Sequence, residues 1–213
     1  MIQLLFQQQY VLFIILSFAL IFSLTFHEYG HGKVASLIGD DTAERAGRLT
    51  LNPIPHIDPL GLLMLLLIGI GYAKPVPADP RNFNTRWGML MVAAAGPGMN
   101  LLLAIVTINV YVLGYKLGIP LLKTPEAYEF FRILGLINML LMLFNLLPIG
   151  PLDGSYILPY VLPRKVALKY LQINQQYGAY ALLALIAFNF LGVPVFQTLW
   201  SIGQAMLNLV VFV

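Results

Sequence analysis

The chain has 213 residues, of which 59% are hydrophobic and 10% charged, with a formal charge of +3, a pI near 9.1 and a mean hydropathy of +0.81. Soluble domains carry about 25% charged residues, so this composition excludes an ordinary water-facing surface and describes a polytopic membrane protein. The absence of cysteine excludes disulfides and thiolate metal ligands, and Lys and Arg scattered between apolar runs without interleaved aromatics exclude a nucleic-acid patch.

A membrane helix needs about 20 mostly apolar residues at ~1.5 Å rise each. The first such run covers residues 11–38. The opening MIQLLFQQQY has no basic n-region and the run has no small-residue cleavage site, so this helix is expected to persist in the mature protein. In the loop that follows, Arg48-Leu49-Thr50-Leu51-Asn52 alternates polar with apolar before Pro53, which predicts a short strand whose edge could pair with an extended peptide. Residues 60–72 are apolar but too few to cross, and Pro or Gly bound them, which predicts a half-buried or re-entrant element. Further spans are expected at 88–115, 130–147 and 177–192, and residues 194–213 are apolar enough for a fifth. The fold class is therefore an all-α polytopic membrane protein with about five to six transmembrane or half-buried helices and a small β element in the first loop. Residues 1–213 read as a single domain, since no long linker, repeat or low-complexity tract divides them.

If 60–72 does not cross, Lys33, Arg45, Arg48, Lys74, Arg81, Arg86, Arg164, Lys165 and Lys169 share one side, against Lys116, Lys123 and Arg132 on the other. The positive-inside rule then puts the larger group in the cytoplasm and the N-terminus outside.

The sequence TFHEYGHG at 25–32 places two of the chain's three histidines and an acid at the end of an uncharged run. On a helix, His27 and His31 stand at i and i+4 on one face and can both reach one Zn²⁺. Glu28, beside the first ligand, can take a proton from water at the metal. Ionisable side chains inside a membrane helix are costly and mark function, which weighs against a helix end whose histidines merely face headgroups. A catalytic zinc site takes three protein ligands. The candidate for the third is Asp153 in NLLPIGPLDG at 145–154, which the topology brings to the same depth as the histidines; standing alone it would be a solvated turn acid.

HEYGH and NLLPIGPLDG together resemble the site-2 protease family of intramembrane zinc metalloproteases, whose patterns are HExxH and NxxPxxPLDG. GRLTLNPIPHIDPLG at 47–61, AKPVPADPRNF at 73–83 and AAGPGMN at 94–100 look similar too, so the resemblance runs from about 23 to 155 and leaves 177–213 as C-terminal helices. Ser155 departs from the second glycine that many members carry after LDG. The chain resembles a short form of the family, without room for the PDZ or CBS domains of many relatives.

The resemblance implies that His27, His31 and Asp153 hold Zn²⁺ and that Glu28 is the general base, the assignment that spacing also reaches. Asn145 can offer its amide N–H to a developing oxyanion, or equally can bond backbone freed where Pro148 interrupts its helix. Asn100 is a weaker candidate, since its amide could brace the Gly-Pro turn before it, and His56 is expected to support the loop rather than bind metal. The family further implies a prokaryotic cell membrane, an active site toward the cytoplasm, and regulated intramembrane proteolysis of a transmembrane protein such as an anti-sigma factor or another membrane-anchored regulator. Two other classes stay open: a zinc-binding membrane protein without proteolysis, either a pseudoprotease or a transporter, and a structural subunit with accidental motifs.

Overall fold

The computed structural model describes residues 1–68 and 71–213. Its helices are α1 (Ile2–Phe6), α2 (Tyr10–Leu37), α3 (Thr42–Arg45), α4 (Pro59–Ile68), α5 (Gly88–Lys116), α6 (Pro125–Asn145), α7 (Gly154–Ile157), α8 (Arg164–Phe190) and α9 (Val195–Leu209). Three of them, α2, α5 and α6, are long and apolar enough to cross a membrane.

α9 has 15 residues, short of a crossing by itself. It follows α8 after a bend of 90°, and the two qualify only together, as a broken span or a re-entrant loop, so the described residues hold three helices long and apolar enough to cross, or four with that pair. The fourth and fifth spans expected from the sequence, at 177–192 and 194–213, fall in this bent pair, whose two helices qualify only together. Gly192, at φ +96°, makes the turn and Pro194 precedes α9. The described part of α4 has ten residues, and positions 69 and 70 of the segment expected at 60–72 lie outside the described residues.

Among the described residues there is no strand, which corrects the expected β element at 48–52. Local side-chain bonds take the backbone groups that a ladder would need. The Thr50 hydroxyl accepts from Asn52 N, Asn52 Oδ1 accepts from Ile54 N, and Thr50 O accepts from the His56 ring. Only an isolated antiparallel bridge, Ile57 to Ala73, remains nearby.

α5 is the central helix, packed on α2 on one side and α6 on the other. Ile15 and Ala19 meet Ile133, Leu134 and Ile137 between α2 and α6, and Ala104, Leu136, Met139 and Leu207 close a second cluster where α9 covers α6. Apolar side chains such as Phe18, Leu102, Val106 and Val110 face outward, as a helix in hydrocarbon allows. α6 begins earlier than the expected residue 130 because Thr124 caps it, accepting from Ala127 N at 3.2 Å, with Pro125 at the first position.

α2 ends just past the histidines in a Schellman motif. Asp40 N donates to Ala35 O and Gly39 N to Ser36 O, with Gly39 at φ +104°. Asp40 is fully buried and gathers donors from the Thr42 amide and hydroxyl, the Asp79 amide and the Asn82 side chain. Burial works to raise its pKa, but the hydrogen bonds from Asn82, Thr42 and Asp79 outweigh that and hold it below the ordinary carboxylate value. This knot ties residues 79–82 to the end of α2 and lays the preceding extended segment across the helix face that carries Glu28.

Candidate metal centre

His27 and His31 project from α2 and Asp153 from the loop between α6 and α7, and their ligand atoms lie within 4.8 Å of one another. The two Nε2 atoms are 3.0 Å apart. Asp153 Oδ2 is 3.2 Å from His27 Nε2, and Oδ1 is 3.4 Å from His31 Nε2. A tetrahedral ion with bonds of about 2.0 Å has edges of about 3.3 Å, so these separations suit zinc.

The partners of the other ring nitrogens fix the proton positions. His27 Nδ1 lies 2.6 Å from Asn100 Oδ1 and His31 Nδ1 lies 2.7 Å from the carbonyl of Val92. Both partners accept, so both Nδ1 atoms carry the proton and both Nε2 atoms present lone pairs. Two lone pairs and a carboxylate then face one point with no hydrogen to share, and the buried Asp153 Oδ2 has no hydrogen-bond partner. Such a cluster calls for a cation, and its nitrogen and oxygen donors are those zinc accepts.

Asn100 is oriented in turn. Its Nδ2 donates to Asn138 Oδ1 at 2.9 Å and toward Ser23 O at 3.3 Å, while Asn138 Nδ2 donates to Leu134 O at 2.9 Å. Both asparagines are fully buried. A chain of amides thus runs from α6 through α5 to the first histidine, and Asn100 braces that ring and not the Gly-Pro turn. Asn138 escaped the sequence reading, although an asparagine within an apolar membrane run is a usable signal.

Close approach of α5 to α2 depends on two glycines. A Cβ at Gly30 would meet Ala95 O at 2.9 Å, and one at Gly96 would collide with both imidazoles. Pro97 sits inside α5 without ending it.

Glu28 is 9% exposed, and its Oε2 accepts from Val76 N at 2.9 Å. Val76 lies between Pro75 and Pro77, neither of which has an N–H, so this is the one backbone donor of the three residues. Nearby, Lys74 N donates to His56 O and Lys74 O accepts from Arg48.

The ligand loop is held from α8: Asn174 Oδ1 accepts from Gly150 N at 2.7 Å, and Tyr170 donates to Pro148 O at 3.1 Å. Asn145 donates to Leu141 O one turn back in its own helix at 2.9 Å. His56 is buried apart from the cluster, its Nε2 donating to Thr50 O, as expected of a loop support.

Comparison with known proteins agrees with this arrangement. The model of Peptidase family M50 matches residues 15–123 and 118–187. YwhC of Bacillus subtilis, which carries the name of a zinc metalloprotease, is 42% identical over 169 residues, covering 78% of this chain and 77% of that protein. Rip2 of Mycolicibacterium smegmatis, named likewise, is 33% identical over 151 residues, 67% of this chain and 55% of that protein. Zinc metalloprotease MJ0392 of Methanocaldococcus jannaschii is 27% identical over 193 residues, 87% of this chain and 46% of that protein. The chain thus spans about half the length of the latter two. No solved structure shows a significant match. With a family model over most of its length and a relative this similar, the chain belongs to peptidase family M50, the site-2 protease family, and is a zinc metalloprotease.

Proposed function

We propose that the protein is an intramembrane endopeptidase that hydrolyses peptide bonds of transmembrane proteins near the cytoplasmic side, with the whole chain acting as one protease domain and its N-terminus outside. The observation that carries this reading is the convergence of two imidazole lone pairs and an unpartnered carboxylate beside Glu28. His27, His31 and Asp153 would hold Zn²⁺. When bound there, zinc supplies Lewis-acid polarisation of the scissile carbonyl and lowers the pKa of water toward about 7.

The remaining work falls to side chains. Glu28 takes the proton of the attacking water and passes one to the leaving amine. With Oε2 occupied by the Val76 amide, Oε1 is the oxygen left for that transfer. Asn145 has a second amide hydrogen beyond the one given to Leu141 O, and we assign it to the developing oxyanion. A helical substrate has to unwind to expose its carbonyl, so a transmembrane segment with Gly, Pro or Asn near its cytoplasmic end is cut best. The substrate class this reading implies is a membrane-anchored regulator such as an anti-sigma factor in a prokaryotic cell membrane, released by regulated intramembrane proteolysis.

The test pairs zinc per chain, by elemental analysis of detergent-purified protein, with cleavage of a transmembrane-peptide fusion, for wild type and Glu28→Gln. About one zinc in both, with product from wild type alone, is the expected result. Product from Glu28→Gln, or zinc lost with that substitution, would sink the assignment of the base. Zinc in both and product from neither would favour a pseudoprotease.

A further inference from the structure

Away from the metal centre, a groove of about 900 Å³ runs between the start of α5 and the start of α8. One wall carries Arg86, Trp87 and Met89, the other Arg164, Leu168 and Leu171. Both walls follow the same order. In sequence each wall begins with an arginine, at or just before the start of its helix, and apolar residues follow. Arg164, Leu168 and Leu171 are spaced i, i+4, i+7, one face of α8.

The depth is set by the spans. Val92 and Gly96 of α5 lie against the histidines, whereas Trp87 precedes the helix by one residue. The groove therefore lies about one and a half to two and a half turns before the metal centre along α5, at about 1.5 Å per residue, toward the expected membrane surface. Its aromatic side chains suit that level. The Trp87 and Tyr160 rings are 5.6 Å apart, and Tyr156 and Tyr160 complete the lining.

Charge narrows the occupant. Arg86 and Arg164 form no salt bridge among the described residues, and the Arg86 guanidinium rests 5.1 Å over Trp87. No Asp or Glu lines the groove, and none occurs in the chain after Asp153. Arg164 and Lys165 open α8 at the positive end of its dipole, where cations are disfavoured. Two unpaired guanidiniums at the mouth and an apolar wall beneath match an amphiphile with an anionic head.

We propose that this groove is a binding site for an anionic glycerophospholipid, its phosphate held between Arg86 and Arg164 and an acyl chain lying along Met89, Leu168 and Leu171. Guanidinium geometry suits phosphate oxygens, and the exposed Leu168 and Leu171 gain cover from the chain. The site stands independently of the proteolytic reading.

Native mass spectrometry of the detergent-purified full chain tests it, with dioleoyl phosphatidylglycerol and dioleoyl phosphatidylcholine titrated separately. Wild type should take one phosphatidylglycerol about tenfold more tightly than phosphatidylcholine, and Arg86→Gln/Arg164→Gln should lose that preference. Leu168→Trp fills the apolar end without altering charge and should also weaken phosphatidylglycerol several-fold. Zinc content and size-exclusion profile, unchanged in both variants, report the fold. Equal retention of both lipids by wild type would overturn the proposal, as would full preference in the arginine variant. Leu168→Trp binding like wild type would reduce the effect to general surface attraction and overturn it too, and so would an acidic soluble peptide that displaces the lipid.

Discussion

The amide of Val76 donates to Glu28 at 2.9 Å, so a carboxylate on the first membrane helix is held by the backbone of a loop 48 residues further along the chain. Flanking prolines hold Val76 in extended form and leave it the one backbone donor of residues 75–77. Hydrogen bonds to charged groups contribute about 1.5–3 kcal/mol. Val76→Pro, which deletes the N–H, should slow peptide cleavage by about tenfold or more, while zinc content stays at the wild-type level. Val76→Ala keeps the amide and should cleave nearly normally. Turnover of a transmembrane-peptide fusion by the two variants decides, and equal rates would show that the contact is idle.

Asn100 sets the tautomer of His27, and Asn138 sets Asn100. Partners of this kind are worth about 10–100-fold in metal affinity. Asn100→Ala should therefore weaken zinc by that order. Asn138→Ala, one bond further out, should weaken it less. Competition against a calibrated chelator measures both, and an unchanged Asn100→Ala affinity would remove the asparagine from the metal site.

Two glycines of one short motif make a controlled pair. A Cβ at Gly96 would drive into the imidazoles, whereas one at Gly98 meets nothing within 4 Å. Gly96→Ala should bind little or no zinc, and Gly98→Ala should bind it as wild type does. Should both bind normally, α5 and α2 would have to stand further apart than described.

Asp40 links pH to stability at the end of α2. Its folded pKa lies below the ordinary value of 3.8, so its contribution is complete above that value and is lost as pH falls through the folded one. Asp40→Asn should lower stability at pH 7 by about 1–3 kcal/mol, and the gap from wild type should narrow on acidification below the ordinary value. Thermal unfolding in detergent at pH 7 and at successively lower pH measures this. A gap that widens with acid would reverse the sign.

The candidate donor set that the structure brings together was readable because its signals are local. An i, i+4 histidine pair in an uncharged run is visible without a structure, and the charge bias brought Asp153 to the same depth. What escaped the sequence depends on contacts between distant segments. Nothing in Val76 as a side chain announces that its amide meets Glu28. Asn100 and Asn138 show their role only where α5 and α6 lie side by side, 38 residues apart in sequence. The strand expected at 48–52 failed because Thr50, Asn52 and His56 bond the backbone themselves, which alternation does not reveal. The bend between α8 and α9 likewise hides in an apolar stretch that reads as a separate crossing.

The candidate ligands come from the first long helix and from a loop that follows the third, and that loop is braced by Asn174 of α8. During synthesis, a chain that has emerged only as far as α6 carries His27 and His31 but not Asp153. Three protein ligands complete a catalytic zinc site, so on the proposed ligand set a nascent polypeptide has an incomplete site while its first three long helices are being inserted. On that set, peptidase competence waits for Asp153 to emerge after α6, and the order of the residues along the chain serves as its own timer.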